Sequence, residues 1–255
     1  MSYKSHSNDF IFLDYCKLEL VEAHFQLGKD VRSQVHKILA HRLDETSEES
    51  LHLLLAQAHD CGKTLARRAK DASLPLPLRS AIGEYLDCAK AWAEGAGLDE
   101  FQHTWLEESS PLDRALLLQH DESGCQTGLY RQEDGSAILW HTEEDVEDTP
   151  GEHFDALRVM RFQVDDGQGV VELQAFIYPD LLPGSAFAWR SDGYAQAVDT
   201  LHTRTFAEPM GGILANCACW IALRLGAAME LGEILSVLQP FYTGYAINAM
   251  HRNEG

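Results

Sequence analysis

The chain has 255 residues, with 40 Asp plus Glu against 20 Lys plus Arg, a formal net charge of −20 and 45% hydrophobic residues. That length and apolar content suffice for one large domain or two small ones, and they exclude a disordered acidic polymer. The charge excludes nucleic acid as a partner, because phosphate binding draws on clustered Lys and Arg, and the one dense basic spot, Arg67-Arg68-Ala69-Lys70, reads as a solvated helix face.

Up to residue 124 the apolar period is helical. Val31, Val35, Ile38, Leu39 and Leu43 fall on one stripe. Thr46-Ser47-Glu48-Glu49 offers a capping box for a second helix carrying Leu51, Leu54, Leu55, Ala58 and Leu65, which Pro75 and Pro77 close. A third helix bears Leu78, Ile82, Leu86, Ala89 and Ala93 and stops at Gly95-Ala96-Gly97, and a short element follows around Phe101 to Leu106.

Near Ser123 the period changes from 3.6 to 2. Gln126 to Arg131 and Ala137 to His141 read as strands joined by Glu133-Asp134-Gly135. Leu157 to Val164 and Val170 to Tyr178 flank Asp165-Asp166-Gly167, and Phe187 to Trp189 and Tyr194 to Val198 flank Ser191-Asp192-Gly193. Three hairpins in a row predict antiparallel sheet. Gly212 to Val237 returns to a helical pattern and Gly244 to His251 reads as a last strand. Helices, antiparallel strands and helices in that order make an α+β chain.

The six Cys form no C-x-x-C pair and are too sparse for a disulfide-stapled fold; Cys217 and Cys219 sit in an apolar helical stretch and read as core. Residues 1 to 9 are polar and lack the basic-then-apolar pattern of a signal peptide, and the apolar run from Ile213 to Leu231 is interrupted by Asn216, Arg224 and Glu230. The expectation is a cytoplasmic protein with no membrane partner. The last Lys is Lys90, so a lysine nucleophile in the second half is excluded.

Generic catalytic motifs (G-x-S-x-G, H-E-x-x-H, a P-loop) are absent. His141 with Glu143-Glu144-Asp145 could be drawn as a metal site, but an acidic loop after a strand accounts for it more simply. Arg158 and Arg161 fall on opposite faces of one strand, and Trp92, Trp105, Trp220 and His202 read as packing residues. Cys125 stands out: Ser123-Gly124 delivers the chain into the first strand, and Cys125 opens it. A lone strand cysteine is commonly a small buried hydrophobe. Were the Gly124–Cys125 bond cut, Cys125 would instead carry a thiol and a free α-amine able to act as its base.

Several segments, taken in order along the whole chain, resemble the cysteine N-terminal-nucleophile (Ntn) hydrolases of the isopenicillin N acyltransferase type, relatives of penicillin V acylase and the choloylglycine (bile salt) hydrolases. Val21-Glu22-Ala23-His24-Phe25-Gln26-Leu27-Gly28 is similar to the family's opening segment, and Glu84-Tyr85-Leu86 with Ala93-Glu94-Gly95-Ala96-Gly97 to its E-x-x-G-x-A-x-G-A-G stretch. Gly124-Cys125-Gln126-Thr127 resembles the self-cleavage site, and Leu139-Trp140-His141-Thr142-Glu143-Glu144 the G-x-N-x-D segment. Leu182-Pro183-Gly184 through Ser191-Asp192-Gly193-Tyr194 to Val198-Asp199-Thr200-Leu201 is similar to the family's G-x-N-x-x-G-x-x-x-x-x-N-x-L.

The resemblance implies a four-layer αββα sandwich, with residues 1–124 as a helical pro-segment-like region and 125–255 as the catalytic region, ending before the strands that complete the family's second sheet. It implies autoproteolysis at Gly124–Cys125, a thioester on Cys125, and action on a small linear amide or an acyl-CoA-type donor, without metal or organic cofactor and with a homo-oligomer allowed. The acidic residue that orients the α-amine falls on Glu144, or on Glu143 if the turn differs by one. His141 takes a place where relatives often carry a polar side chain facing the substrate or the cysteine, and Thr142, also expected at the substrate, stands where relatives carry Asn. Asp199 replaces the Asn that donates to the oxyanion, a role an ionised carboxylate does not fill. The alternative expectation is an Ntn-fold protein with impaired catalysis that serves as a scaffold for a ligand or partner.

Overall fold

The structure, a computed structural model, describes residues 11–119, 124–144, 158–167, 169–201, 211–242 and 244–251. It is a mixed α+β fold. Strand β1 (Ile11–Asp14) leads into three long helices, α1 (Leu20–Glu45), α2 (Glu48–Ala69) and α3 (Leu76–Gly95), then a 3-10 turn at Thr104–Leu106 and α4 (Pro111–Leu118). The strands β2 (Gly124–Arg131), β3 (Ala137–Glu144), β4 (Arg158–Asp165), β5 (Val170–Ile177), β6 (Ala188–Arg190) and β7 (Tyr194–Leu201) follow. Helices α5 (Ala215–Leu225) and α6 (Leu231–Leu238) precede the last strand, β8 (Gly244–His251).

Local chemistry sets these boundaries. In α1, Leu27, Val31, Val35, Leu39 and Leu43 recur every four residues and are all buried. The Ser47 hydroxyl caps α2 by accepting from the Ser50 amide. The prolines expected to close α2 instead open α3: α2 ends at Ala69, Pro75 is the N-cap of α3 and Pro77 lies in its first turn. A proline costs little there, since the first amides of a helix have no intrahelical acceptor. Helix α4, which the periodicity did not indicate, is defined by its start, where Ser110 and Asp113 form a reciprocal capping box and Pro111 takes the first turn. Within the expected basic face, Arg68 donates to the Gln239 carbonyl at 2.6 Å and so ties α2 to the segment after α6, while Arg67 donates to the Thr64 hydroxyl at 2.8 Å within α2.

Six strands form one sheet in the order β1-β4-β5-β6-β7-β8. Pairing is antiparallel except at β1, which runs parallel to β4, so the sheet is mixed rather than purely antiparallel. The first hairpin, β2–β3, makes its own two-stranded sheet. Met160, Phe162 and Val164 of β4 and Val171, Leu173, Ala175 and Ile177 of β5 share one face and join a single core with α1, α3 and α5. That core includes Leu27, Trp92 and Leu116 from before residue 124 and Trp220 and Ile221 from after it, without a break. Arg158 points to this face and is buried, whereas Arg161 stands on the other face and pairs with Asp14 and Glu172, as strand alternation requires.

Two glycines fix the approach of α1 to α3. A Cβ on Gly28 would collide with the Trp92 carbonyl oxygen and lie 2.8 Å from the Ala96 amide nitrogen; one on Gly95 would collide with the Phe25 carbonyl oxygen. Both belong to the segments that carry the family resemblance.

Candidate functional site

The hairpin packs on the sheet face that the helices leave uncovered, against β7 but without backbone pairing to it. Alternation fixes which side chains meet. On β7, Gln196 turns to the helices, its amide donating to the Gly184 and Cys219 carbonyls at 2.8 and 3.0 Å. Asp199, of opposite parity, therefore faces the hairpin, together with Asn248 of β8, whose register partner is Ala197. On the hairpin, Cys125 and Thr127 share a face of β2 with His141 of β3, which stands directly opposite Thr127.

Four side chains join across the two layers. The Thr127 hydroxyl donates to Asp199 Oδ1 at 2.7 Å and lies 2.8 Å from His141 Nδ1. The Asn248 amide donates to Asp199 Oδ2 at 2.9 Å. His141 Nδ1 is 3.7 Å from Asp199 Oδ1, with the His141 side chain 3% and that of Asp199 16% exposed. A carboxylate only accepts, and Thr127 has one hydroxyl hydrogen, so that hydrogen belongs to Asp199 and His141 Nδ1 carries the hydrogen shared with the Thr127 oxygen. This assignment, which follows from the network, leaves Nε2 as the basic nitrogen of the neutral ring.

Cys125, half-buried, lies diagonal to His141 on the same hairpin face, a separation that cross-strand side chains can span. Gly124 opens β2 directly before it. The register sets Glu143 opposite Cys125 and Glu144 opposite Gly124, so of the two acidic positions expected near the cysteine, Glu143 shares its face and Glu144 does not. The turn lies where it was expected, with Arg131 opposite Ala137, and the ladder continues past His141 to Glu144. Thr142 stands on the far face, exposed, its hydroxyl 3.4 Å from the Gln126 carbonyl, and takes no part in the cluster.

Thr127 and Asn248 were missed from sequence. Thr127 was discoverable, being two residues from Cys125 on a strand and hence on its face; Asn248 required the pairing of β8 with β7. Both Asp199 oxygens are taken by donors, so this carboxylate acts as an acceptor, and the amide group beside it belongs to Asn248.

The other thiols occupy different surroundings. Cys61 and Cys217 are fully buried with Sγ atoms 3.8 Å apart, and Cys217 Sγ lies 3.0 Å from the Tyr85 hydroxyl. Burial pushes the Cys88, Cys217 and Cys219 thiols up. Cys16 is pushed up to about 11, first by desolvation and then by its contact with Asp14. Cys217 and Cys219 lie in the core side of α5, as expected. Trp92 and Trp220 are core residues, and Trp105 is partly exposed and meets His52 edge-on. His202 and Asp145 lie outside the described residues. Among the described residues no group of three or more His, Cys, Asp and Glu is placed to hold a metal ion, and no helix is long and apolar enough to cross a membrane.

Comparison with models of protein families, with curated proteins and with solved structures gives no match.

Proposed function

We propose that this chain is a thiol-dependent amidohydrolase or acyltransferase of the Ntn type, built on the αββα plan and self-cleaving between Gly124 and Cys125. Its substrate is a small molecule with a linear amide bond, or an acyl-thioester donor. The Cys125 thiol attacks the carbonyl carbon, the C–N bond breaks, and a thioester forms that water or an amine resolves. No metal or organic cofactor is needed for this chemistry.

One observation carries the reading. Cys125, second in β2, shares with Thr127 and His141 the hairpin face that packs against Asp199 and Asn248, so a nucleophile, an imidazole and an amide donor converge on one seam. Asn248 supplies a side-chain N–H beside Asp199, where the resemblance calls for an Asn donor. Glu143, opposite Cys125, is the acidic residue for the freed α-amine.

Mass spectrometry of the purified full chain tests the proposal. Two fragments dividing before Cys125, with Cys125→Ala intact, are expected. An uncut wild-type chain that neither processes nor forms a thioester with activated amides removes it.

The occupied carboxylate of Asp199 favours a second reading, an Ntn-fold scaffold that binds a partner or ligand without turnover, because a carboxylate in the oxyanion position opposes the developing charge. Asp199→Asn combined with Glu143→Asp separates the two. Processing that appears or quickens in the double variant marks a detuned enzyme; none at all in either chain favours the scaffold.

A further inference from the structure

We propose that His141 is the general base for the Cys125 thiol, held in its working tautomer by Thr127 and Asp199, and that it serves the uncut chain, in which no α-amine yet exists. This rests on the reading of Cys125 as the nucleophile and adds the group that removes its proton.

The need is chemical. Before cleavage the Cys125 nitrogen is an amide and has no basicity, so the α-amine cannot activate the thiol for the first self-cleavage. A separate base within reach is required, and His141 lies diagonally across the same hairpin face, in a place where its ring is almost entirely buried. The hydrogen-bond chain from His141 Nδ1 through the Thr127 hydroxyl to Asp199 turns Nε2 into the basic nitrogen and stabilises the imidazolium once it forms. Asn248 holds the other carboxylate oxygen and so fixes Asp199 from the neighbouring strand. Facing the imidazole, β7 offers the charged Asp199, β8 the neutral Asn248, and β2 Thr127 and Cys125, while Glu143 occupies the next position on the same face of β3. Thr127 and Asp199 are positioning residues in this scheme.

The step balances. Nε2 takes the Sγ proton, Sγ bonds to the Gly124 carbonyl carbon, and the Gly124–Cys125 C–N bond breaks as the imidazolium gives its proton to the departing nitrogen. Water then opens the thioester, leaving a Gly124 carboxylate and a Cys125 with free thiol and amine. The same cycle runs on an external amide.

The test compares wild type with His141→Gln as full chains. One readout is the time course of cleavage before Cys125; the other is iodoacetamide alkylation of Cys125, resolved by peptide mass spectrometry, at pH 7 and pH 10. An ordinary thiol is only a few per cent thiolate at pH 7. Loss of an imidazole partner is therefore expected to lower the pH 7 alkylation rate on the order of tenfold while the pH 10 rate stays the same. Cleavage slows by on the order of a hundredfold. Thr127→Val, which keeps the ring but removes its tautomer-setting partner, shifts the same pH 7 to pH 10 ratio in the same direction, and covers the case in which His141→Gln does not fold. A ratio identical in wild type and both variants overturns the inference. A cleaved wild type with His141-independent cleavage and alkylation overturns it while leaving the Ntn reading intact. An uncut wild type with His141-dependent alkylation does the reverse.

Discussion

Acidification should destabilise this protein through one histidine far from the seam. His24 is 0% exposed, its Nδ1–H donating to the Leu20 carbonyl at 2.8 Å and its Nε2 accepting from the Trp220 indole at 3.2 Å. Phe162 and Trp220 stand edge-on to the ring with centroids 5.6 and 6.0 Å away. Burial holds its pKa down from 6.5 to about 4, against the weaker upward pull of the Leu20 hydrogen bond. In the unfolded chain the ring takes up a proton as the pH falls through about 6.5, whereas in the folded chain it stays neutral until about 4. Over that window the unfolded state binds more protons, so the free energy of unfolding rises with pH and is lost on acidification. The gap between the two values corresponds to about 3 kcal/mol, present in full above pH 6.5 and gone below pH 4. The 40 acidic residues titrate in an overlapping range, so the measurement is a difference. Urea unfolding followed by tryptophan fluorescence is run at pH 7, 6, 5 and 4 for wild type and for His24→Gln, which keeps a donor and an acceptor but does not titrate. The stability advantage of wild type over the variant should shrink by about 3 kcal/mol from pH 7 to pH 4. A difference that does not change with pH would show that the buried ring is not the source and refute the reasoning.

Two further outcomes follow from packing and from thiol environments. Gly28→Ala should lower stability by roughly 2–4 kcal/mol, since the new methyl meets the backbone of α3, which cannot move aside as a side chain would, and the gain in helix propensity offsets only about 1 kcal/mol. Gly83→Ala, on α3 with nothing within 4 Å of the added Cβ, should raise it by up to about 1 kcal/mol; thermal unfolding by circular dichroism checks both, and similar effects for the two would contradict the close-contact account. With a small alkylating reagent at pH 7.5, Cys125 should be modified ahead of Cys16, whose thiol is pushed up to about 11, and well ahead of the buried Cys61, Cys88, Cys217 and Cys219. Peptide mapping that finds Cys16 modified first would reverse that order.

Elements with a strong period were legible in the sequence. α1, the β2–β3 hairpin with its Glu133-Asp134-Gly135 turn, β4–β5 and β8 all form near their expected positions, because burying one face imposes a period that survives in the residue types. β1 was missed because four residues are too few to show alternation, and with it the single parallel pairing. α4 was missed because its eight residues carry only two turns, although Ser110-Pro111-Leu112-Asp113 announces its start. At the site, the sequence identified Cys125, His141 and Asp199, which the structure brings to one seam, together with Thr142, which stands on the far face, and Glu144, whose register partner is Gly124. Whether a strand residue faces in or out depends on the pairing register, which a slip of one residue reverses, and residue type alone does not fix that. Asn248 was out of reach for another reason, since its contact with Asp199 spans 49 positions of chain.

The seam between hairpin and sheet is held by side chains, with each layer's backbone pairing completed within itself. Its chemistry is therefore separable from its architecture. The β2–β3 and β7–β8 ladders pair through backbone groups, to which the side chains of Thr127, His141, Asp199 and Asn248 contribute nothing. Such a seam is open to evolutionary retuning: an exchange of carboxylate and amide between neighbouring strands alters which charges the site tolerates, and a lineage can wander among substrates, or lose turnover and regain it, without having to refold.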